Sequence, residues 1–263
     1  MTAPPSRESA IEFDHVSFRL HGRALLQDVT LSVKQGETLV LLGRSGSGKT
    51  TTLKLINRLL LPTAGEVRVS GRSTADWDPI RLRRSTGYVI QDGGLFPHFT
   101  VERNIGLVPL IENWPRERVE ARVRELLATV GLKEELASRY PSQLSGGQRQ
   151  RVGVARALAA DPPILILDEA FGALDPITRS AMQKEFRALQ QRMRKAVIFV
   201  THDLREALLL ADRIALMDEG RLIVDLPIAE FSRSADPLVR AYMEAFSGLP
   251  ENGLPESGSR IQA

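Results

Sequence analysis

The stretch TLVLLGRSGSGKT (38–50) decides how this chain folds. TLVLL (38–42) runs almost wholly apolar, as a parallel strand buried on both faces does. A glycine-rich turn follows at once. Behind it the segment from Thr50 to Leu61 carries Leu53, Ile56 and Leu60 at helical spacing, with Pro62 as its stop. Strand, GRSGSGKT (43–50), helix is the context in which G-x-x-x-x-G-K-[ST] works as a phosphate cradle. Gly43, Gly46 and Gly48 let the backbone wrap closely around phosphate, with successive N–H groups turned inward. The helix that opens there adds its positive end. Lys49 can reach β- and γ-phosphates, and Thr50 can offer a hydroxyl to Mg²⁺. The nucleotide contacts expected here are Gly43, Arg44, Ser45, Gly46, Ser47, Gly48, Lys49, Thr50 and Thr51. A glycine-rich turn with a chance lysine would lack the flanking strand and helix.

Working outward, YVI (88–90), ILIL (164–167), AVIFV (196–200) and RIALM (213–217) read as further buried strands. IEFDHVSFRL (11–20) and DVTLSV (28–33) alternate, as half-exposed antiparallel strands do. RIALM and RLIVD, joined through DEG (218–220), read as a closing hairpin. Helices are predicted over 115–130, with Val119, Val123, Leu126, Leu127 and Val130 on one face, and over 203–212. Another starts from an Asp175 cap with Pro176 first, and turns Met182, Phe186, Leu189 and Met193 inward. The last, PLVRAYMEAFSG (237–248), is a terminal helix. The fold class is therefore α/β: a P-loop core with a mostly parallel sheet, an antiparallel β flank and an inserted helical subdomain. The expected division is 11–91 with 158–245 as one core domain and 92–157 as the helical subdomain. Residues 1–10 and 249–263 read as flexible termini.

ILILDE (164–169) supplies the acidic partner of the cradle, a buried strand that ends in two carboxylates where ligands bind in open α/β sheets. Asp168 suits Mg²⁺, through water, and Glu169 suits the orientation of an attacking water. Asp168 alone could also be read as a helix cap. LSGGQRQR (144–151) adds a second anion site: Ser145 caps a helix, Gln148 three residues later completes a capping box, and Gly146 and Gly147 leave the helix end bare. Two phosphate-binding helix ends in one chain could serve a single nucleotide if two chains met head to tail.

These motifs resemble the ABC ATPases, whose signature LSGGQ is here 23 residues ahead of Asp168. The family's other landmarks follow in order. Gln91 matches the Q-loop glutamine that senses Mg²⁺ and the membrane partner, GALD (172–175) the D-loop, and His202 the switch histidine at the γ-phosphate. The resemblance spans about 11 to 245 and implies ATP and Mg²⁺ as ligands. It makes Glu169, His202, Gln91 and Lys49 catalytic, and Thr50, Gln91 and Asp168 metal-binding. Ser145, Gly146, Gly147, Gln148 and Asp175 would come from the second copy or a paired ATPase. Two positions depart from the pattern. Ala170 stands where the family has proline, and Leu20, followed by His21, stands where it stacks an aromatic on adenine; Phe18 is the nearest aromatic.

GYVIQDGGLFPHFTVERNI (87–105), LVPLIENW (107–114) and 151–179 resemble importers, most closely the glycine betaine/choline uptake group. That implies a peripheral place on the cytoplasmic face of the cell membrane, permease subunits docked through 92–140, and an extracytoplasmic substrate-binding protein. Phe96, Pro97, His98 and Phe99 suit the docking groove, against the alternative of ordinary packing for the two phenylalanines. A C-terminal nucleotide-sensing module, frequent in that group, is not expected. Importers of another small solute and soluble non-transport ABC ATPases are the alternatives.

Bulk composition agrees with this reading. The 263 residues are 43% hydrophobic and 25% charged, with a formal net charge of +3. RLRR (81–84) and similar runs lack interleaved aromatics, so no nucleic-acid partner is expected. There is no cysteine for disulfide or thiolate chemistry, and no run of about 20 apolar residues to cross a bilayer. MTAPPSRESA (1–10) has no apolar core and does not read as a secretory signal.

Overall fold

The computed structural model describes residues 9–90 and 94–247. β3 (Thr38–Leu42) lies at the centre of a six-stranded sheet, between β8 (Ala196–Thr201) and β9 (Arg213–Asp218). β7 (Ile164–Asp168) pairs with β8, and β6 (Thr86–Val89) with β7; all these pairings are parallel. β10 (Arg221–Pro227) closes the other edge as an antiparallel hairpin with β9, turning through Glu219 and Gly220, both at positive φ. Two consecutive residues at positive φ match the right-handed twist of hairpin strands.

The central strands do not alternate in polarity because both of their faces are buried. Val40 and Leu42 of β3, Leu165 and Leu167 of β7, and Val197 and Phe199 of β8 point into one core. Leu39, Leu41, Ile164, Ile166, Ile198 and Val200 point into the other. The second core is covered by an antiparallel sheet, β2-β1-β4-β5. Its strands are β1 (Ser9–Leu20), β2 (Arg23–Lys34), β4 (Ala64–Val69) and β5 (Arg72–Ser73). β1 begins at Ser9, inside the stretch read as a frayed terminus, and β4 carried no signal that was read as a strand. β4 is held by the register Ile11↔Val69 and Phe13↔Val67 along β1.

The first core is covered by helices. Between β6 and β7 come α3 (Val101–Ile105), α4 (Leu107–Ile111), α5 (Arg116–Thr129) and α6 (Gly146–Leu158), after the short α2 (Pro79–Arg84). α5 buries Val119, Val123, Leu126 and Leu127, the expected face. α7 (Pro176–Met193) buries Met182, Phe186 and Leu189, and α8 (Leu204–Leu210) covers the central strands β3 and β8. α9 (Ile228–Phe231) and α10 (Pro237–Ser247) end the described chain.

Two boundaries differ from the sequence reading. α1 (Lys49–Ile56) stops well before Leu61, with Asn57 as its cap and Arg58 at φ 54°. The Arg83 guanidinium donates to the carbonyls of Asn57 (3.2 Å) and Arg58 (2.9 Å), so a distant side chain ends this helix before Pro62 can. Ile90, read as strand, lies beyond β6 and is 41% exposed.

Candidate functional site

β3 delivers the loop 43–48 to the mouth of the sheet, and backbone geometry dictates its glycines. Gly48 adopts φ 106°, and a Cβ there would lie 2.7 Å from Leu26 Cδ2. A Cβ on Gly43 would lie 2.3 Å from the Met217 carbonyl. Both positions therefore exclude a larger residue. Ser47 and Lys49 are buried, whereas Arg44, Ser45, Gly46 and Thr50 face solvent. The Lys49 ammonium donates to the carbonyls of Gly43 (2.8 Å) and Arg44 (2.7 Å), over the loop's open side. Burial pulls its pKa down, and the carboxylates of Glu169 and Asp168 act in the opposite sense.

β7 brings those carboxylates to the same mouth. Tyr88 Oη donates to Asp168 Oδ2 at 3.1 Å. Burial raises the Asp168 pKa, a shift opposed by the Tyr88 hydrogen bond. Burial and the neighbouring Asp168 charge push the Tyr88 hydroxyl far up, so it stays a proton donor. Glu169 sits at φ 47°, a left-handed backbone rare outside glycine. Its N–H donates to the Val200 carbonyl and its carbonyl accepts from the Gly172 N–H. Ala170, 1% exposed, packs beneath this turn, so the turn forms without the family's proline. Glu169 Oε1 lies 3.5 Å from His202 Nδ1.

His202 is exposed, but the residues on either side of it are pinned. Thr201 Oγ1 donates to Glu206 Oε2 (2.6 Å) and accepts from the Asp203 N–H (3.0 Å). Gln183 of α7 donates to Glu206 Oε1 at 2.9 Å. Glu206 is 3% exposed, and burial raises its pKa.

Ser145 forms the full capping box at the start of α6: its Oγ accepts from Gln148 N–H, and Gln148 Oε1 accepts from Ser145 N–H. Ser145 itself is exposed. The first turn of α6 abuts that of α7, where a Cβ on Gly147 would lie 2.8 Å from Thr178 Cγ2. Asp175 caps α7 by accepting from Thr178 N–H at 3.0 Å, and this bond lowers its pKa. Among the described residues no hydrogen bond or ion pair joins 43–50 to Ser145–Gln148. Each helix end is open separately.

Lys49, Asp168, Glu169 and His202 are thus gathered at adjacent strand mouths, while Gln91 lies outside the described residues. Phe18, one of three residues considered for the base, is 6% exposed and packed in the flank core, which removes it as a platform. Leu20 remains 46% exposed, beside His21 in the β1–β2 turn. Two features escaped the sequence reading. The pattern YVI (88–90) marks Tyr88 only as a strand residue, although a tyrosine in a buried strand needs a partner for its hydroxyl. α10 contributes Ala241, Tyr242 and Ala245 to a cavity of about 540 Å³ shared with Arg44, Ser45, Glu169 and His202. No local sequence signal could have placed that helix there.

The residues present suit a magnesium ion bound with a nucleotide. No cluster of three or more His, Asp or Glu among the described residues could hold a metal unaided. Mg²⁺ characteristically takes one or two protein donors and completes its shell with phosphates and water, and the Thr50 hydroxyl and Asp168 carboxylate are such donors.

Comparison with known proteins agrees with the geometry. The ABC transporter family model matches residues 26–172. The choline transport ATP-binding protein OpuBA of Bacillus subtilis (strain 168) is 48% identical over 223 residues, which cover 84% of this chain and 58% of that protein. The glycine betaine uptake system ATP-binding protein YehX of Escherichia coli (strain K12) is 47% identical over 88% of this chain and 76% of its own length. The chain thus spans little more than half of OpuBA. Among solved structures, the dimeric post-hydrolysis state of the ATP-binding cassette MJ0796 bound to ADP and Pi superposes with a TM-score of 0.73 at 35% identity. It covers 83% of this chain and 98% of the other. No helix among the described residues is long and apolar enough to cross a membrane. With its phosphate loop, paired carboxylates and capped signature helix, this chain belongs to the ABC transporter family.

Proposed function

We propose that this chain hydrolyses ATP as one half of a nucleotide-sandwiching dimer that drives an importer of quaternary-amine osmoprotectants. The observation that carries the ATPase reading is the convergence of Lys49, Asp168, Glu169 and His202 at neighbouring strand mouths, with Glu169 Oε1 3.5 Å from His202 Nδ1. The names of OpuBA and YehX support the cargo. The dimeric cassette structure supports the assembly.

In this reading the backbone N–H groups of 43–49 receive the phosphates, and the Lys49 ammonium shifts its hydrogen bonds from loop carbonyls to the β- and γ-phosphates. Thr50 and Asp168, with Gln91, hold the metal. Mg²⁺, when bound, neutralises developing charge on the phosphates. Glu169 orients the attacking water, and His202 stands beside the γ-phosphate. The second chain completes the site with Ser145, Gly146, Gly147, Gln148 and Asp175. Closure pulls on a permease docked through 92–140, at the cytoplasmic face of the membrane, with an extracytoplasmic binding protein delivering cargo. The core would comprise 11–91 and 158–245, and the helical subdomain 92–157.

The docking assignment rests on an exposed aromatic group. Phe96 is 41% exposed, with its ring centroid 5.3 Å from that of Phe99 and 6.2 Å from that of His98. The buried Asn104 side chain donates to the carbonyls of Phe96, Phe99 and Thr100 and accepts from Phe96 N–H. That fixes the loop and keeps Phe96 outward. An outward apolar ring on a braced loop suits a partner protein.

The test is to co-purify the chain with its permease and binding protein in vesicles and to screen cargo. Glycine betaine or choline should stimulate ATP hydrolysis and enter the vesicles. Stimulation by an unrelated solute alone would refute the cargo and spare the ATPase; no hydrolysis in the assembled complex would refute both.

A further inference from the structure

The structure assigns Tyr88 a positioning role: its hydroxyl fixes the rotation of the Asp168 carboxylate so that one oxygen is left to face the metal and nucleotide. This rests on Asp168 being a metal ligand, as proposed above. Tyr88 stands on β6, directly beside Ile166 of the neighbouring strand β7, and its Oη lies 3.1 Å from Asp168 Oδ2. Among the described residues it is the one side chain that donates to Asp168. A carboxylate at a strand end can turn about its last bond, and an oxygen occupied by a fixed donor stops that rotation. The donor is itself held, because the Tyr88 ring packs against the flank core and lines a small cavity with Asn57, Leu59, Arg83 and Thr86.

Charge and position agree with this division of labour. Oδ2 is engaged by a residue of β6, the strand on the opposite side of β7 from β8 and β3. The acidic group also feels the charges of Lys49 and Lys54 on α1, the helix that carries Thr50. The free oxygen and the Thr50 hydroxyl are therefore the pair left for a shared ion. Hydrogen bonds to metal-ligating carboxylates typically govern affinity by 10–100-fold.

The experiment compares wild type with Tyr88→Phe, which keeps the ring and removes the hydroxyl. Binding of Mn²⁺ to the complex of the full chain with a non-hydrolysable ATP analogue is followed by electron paramagnetic resonance. Nucleotide binding in EDTA is measured in parallel. Tyr88→Phe should weaken Mn²⁺ by about 10-fold and leave metal-free nucleotide affinity unchanged. In an Asp168→Asn background the same change should have no further effect, an outcome that a purely structural tyrosine would not give. Unchanged Mn²⁺ affinity in Tyr88→Phe, with Asp168→Asn clearly weakened, would overturn the role of Tyr88 alone. Unchanged affinity in Asp168→Asn would overturn the metal assignment on which it rests.

Discussion

Glu169 carries the clearest local strain in the site, a left-handed backbone at φ 47° held by hydrogen bonds to Val200 and Gly172. Strain of this kind persists where surrounding structure enforces it, and here it turns the carboxylate toward His202. Glu169→Gln keeps the shape and removes the charge proposed to polarise the attacking water. It should retain ATP binding, lose at least about 100-fold in turnover, or roughly 3 kcal/mol on the barrier, and accumulate as an ATP-bound dimer on gel filtration. Normal turnover would exclude Glu169 as the group that positions water. The base site makes a second prediction. Leu20 offers apolar contact and no π-face, so ATP and GTP should bind within about tenfold of each other, a gap under ~1.4 kcal/mol. Leu20→Tyr should tighten ATP by about 1 kcal/mol without altering saturated turnover. Phe18→Ala, in contrast, empties a core position and should cost about 3–5 kcal/mol of stability. Nucleotide titration and urea melts of both variants separate these effects, and an unchanged ATP affinity in Leu20→Tyr would move the base platform elsewhere.

At the scale of elements, Glu206 ties three of them together: it sits on α8, accepts from Thr201 at the end of β8, and accepts from Gln183 on α7. Burial is the largest cause of its raised pKa, Asp203 adds to it, and the bonds from Thr201 and Gln183 and the charge of Arg179 oppose it. The native state therefore holds this proton more firmly than the unfolded chain, whose carboxyl titrates near 4.5. Unfolding releases the proton, so the stability tied to this group is complete below about pH 4.5 and declines as pH rises through the folded value. Glu206→Gln does not titrate. Its stability relative to wild type should climb as pH rises from 4.5 through the folded value, measured by urea denaturation at a series of pH values. A difference that stays flat with pH would show that Glu206 is equally acidic in both states. The elements themselves were readable where burial and period coincide. β3, α5 and α7 match their expected spans within a residue or two, because each presents a regular apolar pattern to a core. α1 is shorter than its apolar pattern predicts, because its end is set by Arg83, a residue 26 positions past Asn57 in the chain.

For the whole molecule, the two open helix ends, at Lys49 and Ser145, share no hydrogen bond within one chain among the described residues. In the proposed dimer, a single copy would contribute halves of two different sites. Lys49→Ala and Ser145→Arg should each abolish ATPase alone. Mixed together they should restore part of it, because one heterodimer site pairs an intact Lys49 with an intact Ser145. The assay is ATP turnover of the mixture against each variant at equal total concentration. Ser145→Arg turning over at wild-type rate in dilute, monomeric protein would rule out the sandwich.

What the sequence determined by itself are the features written in contiguous residues. Glycines at 43, 46 and 48, a lysine and a threonine behind them, a strand ending in Asp168 and Glu169, and a capped LSGGQ are local patterns, since the groups that bind phosphate are backbone N–H groups of neighbouring residues. The doubly buried strands announced themselves by unbroken apolar runs for the same local reason. Contacts between distant segments were decided only by the tertiary structure. Tyr88 meets Asp168 across 80 positions because parallel pairing of β6 with β7 brings Tyr88 alongside that strand. Phe18 goes inward, because β1 turns that face to the flank core. α10 reaches the cavity of Glu169 and His202 because the chain returns there after β10, a placement that depends on packing and on no motif.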